Sequence, residues 1–215
     1  MAMEQPTKEE PQTFTDFLRK VFKSVLDSLA LFLNGLGVKP NMVTWFGLIG
    51  NMGAGVLMAL GHLVWGGVVM MLIVPLDALD GTMARMRGED SKYGSLVDSV
   101  TDRYSEIAIF TGLLIHLSKT GTFLDTLLVF FAMIGSIMVS YVRAKAESLG
   151  FTSKIGLISR AERYLILVPG ILFGFHKISL WVLAILGNFT AIQRFLHVRK
   201  QAKGIPERKL DKRNK

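Results

Sequence analysis

Apolar residues along this chain gather in runs of roughly 20, the length a helix needs to cross a ~30 Å hydrocarbon layer. Such runs fall at about 41–60, 62–85, 93–117, 122–142, 157–175 and 178–198. The pattern predicts an all-α integral membrane protein in which residues 38–200 form one domain of six transmembrane helices. Ahead of it the period changes. Phe14, Phe17, Leu18, Val21, Phe22, Val25, Leu29 and Phe32 recur at helical spacing, with Arg19, Lys20 and Lys23 on another face. This stripe predicts an amphipathic juxtamembrane helix over 13–36, its apolar side in the acyl boundary and its basic side toward anionic headgroups. The polar start, 1–12, reads as a disordered leader, and 201–215 as a charged cytoplasmic tail.

Composition sharpens this picture at two points. The 215 residues include no cysteine, which excludes disulfides and any thiolate metal site. The formal net charge of +8 is unevenly placed: lysines and arginines concentrate before the first run, between the second and third, between the fourth and fifth, and after the sixth. By the positive-inside rule, both termini and those two loops are expected in the cytoplasm. Orientation and attraction to anionic membrane lipids account for the excess charge, so no nucleic-acid partner is needed. Trp45, Trp65 and Trp181 lie near run starts, where interfacial tryptophans belong.

Charge also sits where lipid penalises it. The stretch DALDGTMARMRGEDSKYGSLVDSVTD, residues 77–102, joins the second and third runs and carries Asp77, Asp80, Asp98 and Asp102 inside them. Counting along each helix, Asp77 lies ~22 Å from the outer entry, Asp98 ~9 Å and Asp102 ~15 Å from the inner one. Asp77 and Asp80 share a helix face, as do Gly94, Asp98 and Asp102, and a short loop makes the two helices antiparallel neighbours. The four carboxylates are thus expected to converge in the cytoplasmic half of the membrane. At roughly 2.5 to 3.5 kcal/mol each, unpaired aspartates there are untenable. Arg85, Arg87 and Arg103 can neutralise part of the charge. An all-oxygen cluster is otherwise what hard dications such as Mg²⁺, Mn²⁺ or Ca²⁺ bind, and two of them would suit phosphoryl chemistry. Gly81, Ala84 and Gly94 keep that face free of bulk, Arg85 offers a planar fork for phosphate oxygens, and Pro75 is expected to loosen the helix just before the first aspartate.

These residues carry a family resemblance. Asp77, Asp80, Gly81, Ala84, Arg85, Gly94, Asp98 and Asp102 fill every position of the pattern DxxDGxxAR, eight residues, GxxxDxxxD, which resembles the signature of the CDP-alcohol phosphotransferases. The resemblance implies an enzyme of phospholipid synthesis that moves a substituted phosphate from a CDP-linked lipid to an alcohol and releases CMP. It implies that Asp77, Asp80, Asp98 and Asp102 hold two divalent cations, Mg²⁺ or Mn²⁺. It further implies that Gly81, Ala84, Arg85 and Gly94 bind the nucleotide, that Asp102 is the general base, and that the enzyme is a homodimer.

The acceptor is read from other segments. SYVRAKAESLG, GLISRAERYLIL and TAIQRFLHVRK put Arg143, Arg160, Arg163 and Arg194 at cytoplasmic helix ends, where they could bind the phosphate of an anionic acceptor or simply obey the positive-inside rule. These segments resemble the phosphatidylinositol phosphate synthases within the family, which implies a phosphorylated polyol acceptor, inositol 1-phosphate, with Arg143, Arg160 or Arg163, and Arg194 as phosphate ligands. Ser159 and Ala161 depart from the glutamate and proline usual there, and glycerol 3-phosphate is the rival acceptor. A cation- or proton-coupled transporter would also use intramembrane acids, but the chain has no inverted repeat and no outer-leaflet acids to complete a path.

Overall fold

Every one of these apolar runs is helical in the computed structural model of the protein, which describes residues 14–89, 91–153 and 155–203, with side chains from residue 23 onward. Eight helices are described: α1 (Phe14–Gly35), α2 (Pro40–Ala59), α3 (Leu63–Ile73), α4 (Leu76–Arg87), α5 (Lys92–Thr120), α6 (Phe123–Ser148), α7 (Arg160–Leu172) and α8 (His176–Lys203). The expected leader, the tail beyond 203 and the apolar stripe from Phe14 to Phe22 lie outside the described residues or side chains.

Among the described residues, four stretches are long and apolar enough to cross a membrane: Pro40–Ala59, Leu63–Arg87, Phe123–Ser148 and His176–Lys203. The second joins α3 to α4 across a break at Val74–Pro75, where the proline was expected to loosen the helix. The expected third and fifth spans differ. Helix α5 has the length, 29 residues, but carries Asp98, Asp102, Arg103 and Glu106. Helix α7 has 13 residues, which rise about 20 Å and fall short of the hydrocarbon thickness. Both lean on apolar neighbours: α5 packs along α2 and α6, and α7 lies against α3 and α8.

The bundle is apolar outside and carries polar residues within a largely apolar interior. Phe46, Ile49, Val56, Leu72, Ile185 and Ile192 are exposed. Asn51, Ser105, Glu106, Ser136, Arg163, Thr190 and Arg194 are buried. Lipid accepts the former, while intramembrane polar groups turn toward the bundle interior. Interior packing requires glycine where α2 meets α5: a Cβ on Gly112 would fall onto the Gly55 carbonyl, and one on Gly55 onto the Ala108 carbonyl. There the α2 and α5 backbones touch. Gly50 is likewise closed off, by Ile73, whereas Gly53 faces open space.

The 88–91 and 149–159 loops lie at the same end of the bundle, as the Arg160 contacts described below require. We call it the aspartate end. There Gly88, with φ 64°, caps α4 in the left-handed region. Ser91 caps α5 by accepting from the Gly94 N–H at 2.9 Å. Arg87 Nε donates to Asn34 Oδ1 (2.7 Å) and its Nη2 to the Val38 carbonyl (2.8 Å), tying the end of α4 to the end of α1.

Candidate active site

Helices α4 and α5 bring their acids to facing positions, and α7 supplies the cation between them. Arg160, the first residue of α7, places Nη2 2.7 Å from Asp77 Oδ2 on α4 and Nη1 2.5 Å from Asp102 Oδ2 on α5. Its guanidinium also stands 5.5 Å from the Tyr164 ring centroid. A planar fork with two pairs of donors suits this bridging role, since each nitrogen edge serves a different helix. Asp80, buried, accepts from Thr44 Oγ1 of α2 and from the Gly81 N–H, both at 2.6 Å. The Asp98 carboxylate forms no ion pair or hydrogen bond with another described residue, and Arg160 and Arg103 act on it only through space.

The expected convergence therefore takes a specific form. Asp77 and Asp102 share one cationic group, while among the described residues no three acidic or histidine side chains gather closely enough to hold an ion together. Like charges approach only around a counter-charge, and here the guanidinium fills that position. Of the other signature positions, Arg85 is exposed and donates from Nη2 to Thr82 Oγ1 (3.0 Å), beside a groove between α1 and α4 that Lys23 and Asp27 also line. A Cβ on Gly81 would meet only the Arg85 side chain, at 3.4 Å, and one on Gly94 would meet Ser91 Oγ at 3.1 Å. Protein packing alone gives little reason for glycine at 81.

The four candidate acceptor arginines part ways. Arg160 joins the aspartates. Arg163, one turn deeper, is 3 % exposed and pairs through Nη2 with Glu106 Oε1 at 2.5 Å. Arg194 is buried and donates from Nε to the Ile155 carbonyl and from Nη1 to the Val139 carbonyl, both at 2.8 Å, which pins the 149–159 loop to α6 and α8. Arg143 is exposed and pairs with Glu147 on its own helix at 2.9 Å. Two residues of this region went unmarked in the sequence reading. Glu106 stands four residues beyond Asp102 and continues the face of Gly94, Asp98 and Asp102, a spacing that could have found it. Thr44 lies in an apolar run with no such signal.

Whether a divalent cation suits these residues is answered by the donors themselves. The set is all oxygen, with no histidine near it, and two of its members already converge on one positive group. That is the chemistry a hard dication requires.

Comparison with known proteins gives concordant results. A family model described as CDP-alcohol phosphatidyltransferase matches residues 38–202. A phosphatidylinositol phosphate synthase of Mycobacteroides abscessus is 36% identical over 84% of this chain and 86% of its own length. An archaetidylinositol phosphate synthase of Pyrococcus horikoshii is 35% identical over 86% of this chain and 96% of its own. Among solved structures, Mycobacterium tuberculosis phosphatidylinositol phosphate synthase in complex with manganese and citrate superposes with a TM-score of 0.75 at 30% identity, covering 80% of this chain and 88% of that one. The same enzyme with CDP-DAG bound gives 0.74 at 28% identity, over 81% and 94%.

Proposed function

This chain belongs to the CDP-alcohol phosphatidyltransferase family, and on that premise we propose that it moves a phosphatidyl-type group from a CDP-linked lipid to the hydroxyl of inositol 1-phosphate, releasing CMP. It does so as a homodimer with six spans, its termini and active site on the cytoplasmic side. The observation that carries the reading is the meeting of Asp77 and Asp102, from different helices, at one cationic group, the Arg160 guanidinium. The named activities of the relatives support the choice of donor and acceptor.

Asp77, Asp80, Asp98 and Asp102 are the residues that would hold two divalent cations, Mg²⁺ or Mn²⁺. When bound, such ions neutralise the diphosphate and acidify an acceptor hydroxyl. The remaining work belongs to the chain. Thr44 and the Gly81 N–H fix the Asp80 carboxylate from two sides. Gly81, Ala84 and Gly94 leave room for the nucleotide, and Arg85, exposed beside the α1–α4 groove, receives it. Asp102 takes the proton from the acceptor hydroxyl. A bond then forms from that oxygen to the lipid-bearing phosphorus as the bond from phosphorus to CMP breaks, and CMP leaves with the electron pair. Arg160 is the fork best placed for the acceptor's phosphate, and Arg143 stands on the exposed rim. Arg163 and Arg194 support them from behind, through Glu106 and through the carbonyls of Ile155 and Val139.

An acceptor panel tests the reading. The protein in detergent with CDP-diacylglycerol and Mg²⁺ is offered inositol, inositol 1-phosphate, glycerol 3-phosphate and serine in turn. Incorporation of inositol 1-phosphate with release of CMP is expected. Incorporation of glycerol 3-phosphate alone would reassign the acceptor, and use of serine or unphosphorylated inositol alone would remove the basic pocket from the account.

A further inference from the structure

We propose that Glu106 is a positioning residue for the acceptor half of the reaction, acting through Arg163 to set the rotation of α7 and so to aim Arg160 at the aspartates. This rests on the function proposed above. Helices α5 and α7 both start at the aspartate end and run the same way. Asp102 and Glu106 are four residues apart on α5, Arg160 and Arg163 three apart on α7, so each pair shares a helix face. The two faces meet in two rungs, Arg160 on Asp102 and Arg163 on Glu106, each at 2.5 Å.

The rungs differ in their surroundings. In the outer one, side-chain exposure is 23% for Arg160 and 13% for Asp102; in the inner one it is 4% for Arg163 and 6% for Glu106. Arg163 Nη2 also reaches Ser140 Oγ at 3.3 Å, so the inner rung joins α5, α6 and α7. Water can replace an outer partner but not an inner one. Helix α7 needs such an anchor, being only 13 residues long, with Pro169 inside it and a loop before it. Turning it by one residue position, about 100°, would carry Arg160 off the aspartates.

Hydrogen-bond satisfaction does not explain the pair. Among the described residues, Glu106 Oε2, Arg163 Nε and Nη1 and the Tyr164 hydroxyl are buried without a hydrogen-bonding side chain or backbone group, beside a small cavity that Met70 and Ile109 help to line. Apolar side chains of similar volume in place of the pair would fill this space without stranding its three polar atoms, and such replacements of buried ion pairs are often neutral or stabilising. What apolar residues would not supply is a fixed angular register between α5 and α7.

The test separates register from stability by measuring KM for inositol 1-phosphate and for CDP-diacylglycerol independently. Glu106→Gln is expected to raise the acceptor KM about tenfold or more while the donor KM stays within about twofold. The paired change Glu106→Met with Arg163→Met is expected to melt near the wild-type temperature and still show the acceptor defect. A folded double variant with wild-type acceptor KM would overturn the inference, as would a parallel rise in both KM values. Failure of all these variants to fold would also overturn it, by making the pair a requirement of the fold. If the wild-type protein itself does not incorporate inositol 1-phosphate, the proposed function fails instead.

Discussion

The two ends of the bundle treat their acids in opposite ways. At the end away from the 88–91 loop, where no acid was expected, Asp125 accepts from the Thr122 N–H (2.8 Å), from Thr122 Oγ1 (3.0 Å) and from Lys177 Nζ (2.8 Å), closing a capping box at the start of α6. All three of these donors belong to residues at helix termini, and the work of that carboxylate is done when α6 begins. At the aspartate end, Asp77 and Asp102 divide a single guanidinium between two helices, and the Asp98 carboxylate has no direct partner among the described residues. An acid satisfied locally holds the fold together. Acids left sharing or wanting a counter-charge inside a membrane are placed there for something else.

Substitutions at the two ends should therefore separate activity from stability. The largest effect is expected from Asp102→Asn, which removes the proposed base and should lower CMP release at least about a hundredfold while the thermal midpoint in detergent barely moves. Loss of folding in place of loss of turnover would make Asp102 a structural acid like Asp125. Next comes Thr44→Val, which deletes the hydroxyl that orients Asp80; Mn²⁺ affinity, followed by electron paramagnetic resonance, should weaken by about tenfold, as for other groups that steady a metal-ligating carboxylate. An unchanged affinity would take Asp80 out of the ligand set.

Away from the aspartates the expected changes are in stability. Gly112→Ala forces a methyl group against the Gly55 carbonyl, so the α2–α5 contact must open, destabilising the bundle by about 1–3 kcal/mol in a denaturation assay. Metal affinity measured on the protein that stays folded should be retained. Smallest is Asp125→Asn, which loses the Lys177 pair and weakens the cap, for about 1 kcal/mol and no change in turnover. A fall in turnover without a fall in melting temperature would erase the contrast between the ends.

Much of the fold was legible in the linear pattern. Each of the six apolar runs became helix, with boundaries moved by a few residues, because burying a backbone in hydrocarbon leaves few alternatives. Pro75 marked the α3–α4 break for the reason its missing N–H provides. Six uniform spans were harder to read correctly. Hydropathy counts residues, whereas a short α7 or a charged α5 draws its apolar surroundings from neighbouring helices that composition does not record.

The same division holds in the site. Spacing alone put Asp77 with Asp80, and Asp98 with Asp102, on common faces, since 3.6 residues per turn is a property of any α-helix. Spacing could not say which of Arg160 and Arg163 looks toward the aspartates and which toward Glu106, nor that Thr44 of α2 would hold Asp80, nor that Arg194 would spend one donor on a loop carbonyl and another on a carbonyl of α6. Those outcomes depend on the rotation of each helix about its own axis and on which neighbour lies opposite. Only the packing of the whole bundle sets these.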